Sequence, residues 1–259
     1  MKKLIAILLV LVMAMSLVAC GAAKEDNKGD NGAKFDPAKK SEGVMTHAEY
    51  LAAAEQAVVT IEAFVQAKQG WWEKDGVGVI TLYTQDPDGA YFAYEVACSK
   101  EDADKLAAGT HVRIKGSKTV YNGLTEIMNG TLEILTDGTW IAEATDVTAK
   151  LATPENLEAE MAKKVTFKGL TIEDRTGMGE AFQYGWDGSG SAESNSDLYF
   201  NASYQGTTFT FVIESYLTGS DTAVYQAVQG LQVGDVVDME GFMYWYEGVQ
   251  PHIISVTKK

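Results

Sequence analysis

Two cysteines, three histidines and five tryptophans carry the most distinctive chemistry in this 259-residue sequence. Cys20 ends an apolar run, Leu4 to Ala19, that follows the basic start Met1-Lys2-Lys3. A basic start, an apolar stretch and small residues before a cut site form the pattern of a secretory signal peptide. The run has about 16 residues, short of the roughly 20 that span a bilayer. Cys98 is the only other thiol. It sits in an alternating apolar stretch, where a buried and inert cysteine is expected. His47, His111 and His252 stand singly, with no paired spacing that would hold a zinc ion. No phosphate loop or nucleophile elbow is present. The sequence therefore predicts a protein that is not an enzyme and carries no cofactor or metal.

The run Leu17-Val18-Ala19-Cys20 resembles the bacterial lipobox. That resemblance implies a diacylglycerol on the Cys20 sulfur, cleavage just before it, and the lipid bilayer as a partner. Each buried CH₂ of an acyl chain contributes roughly 0.8 kcal/mol, and two chains suffice for stable anchoring where one does not. The expected location is the extracytoplasmic face of a cell membrane. Gly21 and the polar stretch after it point to the outer leaflet of a single-membrane cell. Residues 22–43 are rich in Lys, Asp, Asn and Gly and lack apolar periodicity. They read as a flexible spacer. The organisation expected is a signal peptide over 1–19, a tether over 20–45, and two domains over 46–150 and 151–259.

Charge narrows the partners. The chain has 21 basic and 36 acidic residues, a formal charge of −15. The tether is neutral, so both domains are acidic. Nucleic-acid affinity comes mostly from cations displacing counterions, so nucleic acid is not the expected partner.

The two domains are copies of one unit. Val59-x-Ile61-x-Ala63-x-Val65 matches Val165-x-Phe167-x-Gly169-x-Thr171. Gly109 to Gly116 matches Gly234 to Gly241, and at the same offset Tyr121-Asn-Gly-Leu124 matches Tyr246-Glu-Gly-Val249. Each copy reads as a short helix (46–57 and 153–163), a first strand, a hairpin, a second helix and two closing strands. Hairpin turns fall at Asp86–Gly89 and Gln205-Gly206, between alternating runs. Thr46 with Glu49 makes a capping box, and Gly109 and Gly230 follow the second helices.

That order resembles the OB-fold, a five-stranded Greek-key barrel with a helix between its third and fourth strands. The chain is similar to tandem OB-fold lipoproteins of bacterial surfaces. Their fourth-strand motif stands here as Gly234-Asp235-x-Val237-x-Met239-x-Gly241. The fold expected is therefore all-β with short helices, as two tandem five-stranded barrels.

An OB barrel binds on its second and third strands and on the loops after its first and fourth. Aromatic side chains stand there: Trp71 and Trp72 in the first copy, and Trp186 in an insertion of about twenty residues in the second. Tyr244, Trp245 and Tyr246 follow the last copy's fourth strand. Strict alternation turns Tyr83 and Tyr91 outward, with Phe92, Tyr94 and Val96 inward. These eight are the candidate ligand-binding residues, and barrel packing is the competing role for the same rings. On the fourth strand, His111, Arg113 and Lys115 stand against Val236, Asp238 and Glu240, a contrast that would suit two faces with different partners. The leading reading is a surface binding module for an extracellular glycan, peptide or protein. Single-stranded nucleic-acid binding or a structural part of an envelope assembly are the alternatives.

Overall fold

The computed structural model describes residues 35–259; the signal segment and Cys20 lie outside them. The first half contains α1 (His47–Ala52), β1 (Val58–Lys68), β2 (Trp72–Lys74), β3 (Val77–Gln85) and β4 (Ala90–Ala97). Helix α2 (Lys100–Lys105), β5 (Thr110–Tyr121) and β6 (Leu124–Thr139) complete it. The second half opens with β7 (Thr145–Asp146), 3₁₀ helices over Thr148–Ala152 and Pro154–Glu160, β8 (Lys164–Glu173) and β9 (Phe182–Tyr184). It continues through β10 (Leu198–Tyr204), β11 (Thr207–Ile213), α3 (Ala223–Gln229), β12 (Val236–Phe242) and β13 (His252–Lys258).

Pairing closes each half on itself. β1 runs antiparallel to β3 and β5, β3 to β4, and β5 to β6, while β4 and β6 run parallel. In the second half β8 pairs with β10 and β12, β10 with β11, and β12 with β13, while β11 meets β13 in parallel. A closed barrel with parallel third and fifth strands and a helix before the fourth is the OB-fold, here present twice. Each barrel has its own core. Ile61, Leu82, Tyr91 and Ile114 lie in the first, Phe167, Phe200, Phe211 and Met239 in the second.

Local chemistry explains the helices. Thr46 caps α1 through the amide of Glu49, whose carboxylate returns to the Thr46 amide. The helix stops at Ala52 because Ala53 is extended, and Lys118 Nζ binds the freed carbonyls of Leu51 and Ala53 at 2.5 and 2.7 Å. The helix expected over 153–163 is instead a 3₁₀ helix. Its two buried residues, Leu157 and Glu160, stand three apart, the repeat of that tighter helix.

Several boundaries move. Residues 35–45, expected as tether, pack on the first barrel. Phe35 meets Phe64 edge-on at 5.9 Å, the Ser41 amide binds Glu62 at 3.0 Å, and the Met45 amide binds the Thr60 carbonyl at 2.9 Å. Phe35 was the one aromatic in that stretch, and its burial contributes what the polar residues around it do not. β7 adds to the second sheet, and Val147 lies in the second core, so that barrel begins before residue 151. Strict alternation also fails in β4. The pairing slips between Leu82↔Ala93 and Ile80↔Val96, and Glu95 takes a φ of 48°. That bulge shifts the register, so Tyr91, Ala93 and Val96 face the core while Phe92 faces out.

A third cluster joins the barrels. Tyr83, Ala90, Phe92 and Leu124 of the first pack against Ala162 and Phe242 of the second, with Tyr244, Trp245 and Ile254 alongside. The Tyr83 ring lies 4.5 Å from that of Phe242, and its hydroxyl hydrogen-bonds His252 Nδ1 at 2.7 Å. His252 stacks on Tyr244 at 3.9 Å, and Tyr244 meets Phe92 edge-on at 5.5 Å. The two repeated turns also touch. The Glu247 amide donates to the Asn122 carbonyl at 2.7 Å, and Tyr121 meets Tyr246 at 6.2 Å. Gly123 has a φ of 91°, and a Cβ there would stand 2.8 Å from Trp245, so both the turn and the packing require glycine.

Phe242→Ala is expected to cost about 3–5 kcal/mol, the range for deleting a fully buried phenylalanine, read as a lower denaturation midpoint. A second expectation concerns pH. Burial lifts the Glu126 carboxyl to about 7 from the ordinary 4.5, with repulsion from Glu95 adding to it. The folded state then binds that proton more tightly than the unfolded one. Its stabilisation is complete below pH 4.5 and lost as pH rises through about 7. His252 has the opposite sign: burial lowers it to about 3 from 6.5, so its contribution is lost as pH falls below 6.5. Glu126→Gln should therefore reduce whatever rise in Tm the protein shows from pH 7 to pH 5. Equal pH responses in the two proteins would contradict the assignment.

Candidate functional site

The barrels present their second and third strands very differently. On the first, the outward side chains of β3 and β4 include Tyr83 and Phe92, and the second barrel covers both. The face that OB barrels use for ligands is here filled by Phe242, Tyr244 and His252. On the second barrel, the outer side chains of β10 and β11 include Tyr199, Asn201, Ser203, Thr208 and Thr210. All five are partly or fully accessible.

Arg175 lies across that face. It comes from the loop after β8, where Asp174 accepts hydrogen bonds from the amides of Thr176, Gly177 and Gly179 at 3.0, 2.9 and 2.9 Å. Those amide bonds, the Gly179 one foremost, hold the Asp174 carboxyl below its usual range. The loop is thereby closed on itself, and Arg175 is directed over the sheet. Its Nη1 donates to Asn201 Oδ1 at 3.1 Å and Thr210 Oγ1 at 3.3 Å, and its guanidinium carbon sits 5.7 Å from the Tyr199 ring centroid. Burial lowers the Arg175 pKa from its ordinary value, and burial pushes the Tyr199 hydroxyl up to about 12.

The insertion folds back beside this face. β9 pairs with β10, matching Phe182 to Phe200 and Tyr184 to Leu198. Phe182 and Tyr184 pack on the second core, which leaves Trp186 at the tip, 75% exposed. The first barrel uses the same device on a smaller scale, with β2 paired to the start of β3.

The eight aromatic candidates divide by burial. Trp72, Trp186 and Tyr246 are exposed. Trp71 packs on the first core and donates its indole N–H to the Cys98 carbonyl at 2.9 Å. Tyr91 is inside the first barrel, against the expectation that it faces outward, because of the β4 bulge. Tyr83 does leave its barrel as expected, but it meets the second barrel rather than solvent. Tyr244 and Trp245 belong to the same junction. Three of the fourth-strand charges are paired within their own barrels, Arg113 with Glu62 and Glu133, Asp238 with Lys259 and Glu240 with Lys164, while Lys115 is exposed. His111 is buried, stacked on Phe64 at 4.4 Å and bonded to Asp137 at 2.6 Å. Cys98 is buried and unpaired, and burial raises its thiol pKa. Among the described residues no group of His, Cys, Asp and Glu is placed to hold a metal ion.

Arg175 was missed from sequence. Its signal was indirect: a lone arginine in a glycine-bearing loop, just after the first strand of an acidic copy. Nothing in that pattern says which way the side chain turns.

No protein-family model and no curated protein matches the sequence. Among solved structures, a murine DNA-binding protein bound to double-stranded DNA is similar at a TM-score of 0.37 and 10% identity, over 77% of this chain and 96% of that one. The Ifi202 HINa domain in complex with 20-bp double-stranded DNA gives 0.33 and 10%, over 78% and 98%. A Replication Protein A heterotrimer bound to single-stranded DNA gives 0.32 and 14%, over 79% and 49%. Likeness at this level carries nothing about what the present chain binds.

Asp174→Ala is expected to free the loop that directs Arg175. Hydrogen exchange at the Gly177 and Gly179 amides should then accelerate, while exchange in β1 and β5 stays as in the parent. Unchanged protection at both glycines would show that the loop does not depend on this carboxylate.

Proposed function

We propose that this protein is a non-enzymatic binding module that takes an extracellular glycan, peptide or protein on the outer face of β10 and β11. One observation supports that choice of face above the others. The equivalent surface of the first barrel is buried in the junction, while the second barrel's is open, crossed by Arg175 and flanked by the exposed Trp186. In this reading the first barrel is a rigid mount, and the lipid on Cys20 holds the assembly at the outside of a cell membrane. The lipobox-like run at residues 17–20 supports that location. Single-stranded nucleic acid is the second reading, favoured by aromatic planes beside a guanidinium and opposed by the charge of −15.

Binding to an array of glycans, peptides and oligonucleotides tests the face. Trp186→Ala should weaken binding by roughly ten-fold or more, within the 1–3 kcal/mol typical of a stacking ring, while Trp72→Ala leaves it unchanged. The reverse outcome would move the site to the first barrel. A steep fall of affinity with salt would favour the nucleic-acid reading. For the anchor, Cys20→Ala should abolish incorporation of labelled fatty acid and release the protein from membranes.

A further inference from the structure

The chain has two arginines, and their settings differ completely. Arg113 is held by carboxylates on both sides. Its Nε and Nη2 donate to Glu62 at 2.9 and 2.6 Å, and its Nη1 to Glu133 at 2.7 Å. Arg175 makes no salt bridge among the described residues, in a protein with 36 acidic side chains to choose from. Its only side-chain acceptors there are the neutral oxygens of Asn201 and Thr210, both on Nη1. Its Nε–H is sealed from solvent with no acceptor. The edge formed by Nε and Nη2 is therefore the unused side of the guanidinium fork. A buried donor left unpaired destabilises the fold, because its hydration is lost and nothing replaces it. An incoming anion that draws the side chain slightly outward would satisfy it. Two parallel N–H groups match the two oxygens of a carboxylate.

We propose that Arg175 is the anchor for a carboxylate on the ligand, which makes an acidic saccharide the ligand class of this face. The inference rests on the face proposed above and names what occupies it. The surroundings fit a sugar ring better than a phosphate chain. Asn201, Thr208 and Thr210 supply amide and hydroxyl groups for sugar hydroxyls, Ser203 is held by the Glu173 carboxylate at 2.5 Å, and Trp186 supplies an exposed ring beyond the Leu198 end of β10. A nucleic-acid strand needs a series of cations to displace its counterions. Residues 151–259 hold 6 basic against 15 acidic side chains, and Arg175 is the cation on this face.

The test uses the full-length chain in detergent micelles, labelled with ¹⁵N-arginine so that only two Nε–H signals are present. Trigalacturonic acid, its neutral methyl ester and hexathymidylate are titrated separately, with affinities from calorimetry. The acid should shift the Arg175 Nε–H signal and leave that of Arg113 in place, and the methyl ester should bind at least about ten-fold more weakly. Arg175→Lys keeps the charge but loses the fork, and should weaken the acid by roughly ten- to hundred-fold. Equal affinity for acid and ester, or a larger shift with the oligonucleotide, overturns the proposal. So does a failure of all three to bind. Binding that Trp186→Ala weakens and Arg175→Lys does not would overturn the anchor and keep the face. Binding that neither variant changes would overturn both.

Discussion

The aromatic junction between the barrels is the contact on which the rest of the molecule depends. Tyr83, Phe92, Phe242, Tyr244 and His252 meet there in stacked and edge-on geometries, with one hydrogen bond inside. A single OB barrel of about a hundred residues already closes its own sheet and fills its own core. What the junction adds is rigidity between two such units, and it does so by using a ligand-type surface as packing surface. His252 is held neutral by burial and Tyr83 keeps its proton for the same reason, so the bond between them involves no charge in a dry setting. A neutral pair avoids the desolvation cost that an ion pair would carry at the same place.

That use of one face explains the division of labour. Two copies of one unit share a strand order and a repeated turn, and in both the loop after the first strand adds a short extra strand. The outer faces of their second and third strands nevertheless differ. One is apolar and covered; the other carries amide and hydroxyl groups and an arginine. The turns at Asn122-Gly123 and Glu247-Gly248 show how closely the copies fit. They come from the same point in the repeat, and they bond to one another across the junction.

Burial of charge follows the same logic. Where the structure holds a cation for stability, it gives the donors acceptors: Lys118 donates to two helix-end carbonyls, and Arg113 pairs with Glu62 and Glu133. Arg175 departs from that rule, and the departure lies on the open face. Unpaired polar groups are rare in folded proteins because each one subtracts from a small net stability.

Much of this architecture follows from local pattern. Alternation, glycine turns, the Thr46 cap and the repeat determine two barrels, their strand order and the burial of Cys98, because each reflects chemistry within a few residues. The role of each aromatic ring does not follow that way. Tyr91 turned inward because one extra residue at the β4 bulge lets it share the core face with Val96, five residues on, where strict alternation would oppose them. Phe35 left the spacer because a groove beside Phe64 and His111 was there to receive it. Tyr83 and Tyr244 were closed off by a surface more than a hundred residues away in sequence. Arg175 carried only an indirect local signal: its meaning lies in which carboxylates are not nearby. The sequence alone determined the elements, since these depend on neighbours along the chain. Only the tertiary structure decided which face stayed open, since that depends on what the other barrel covers.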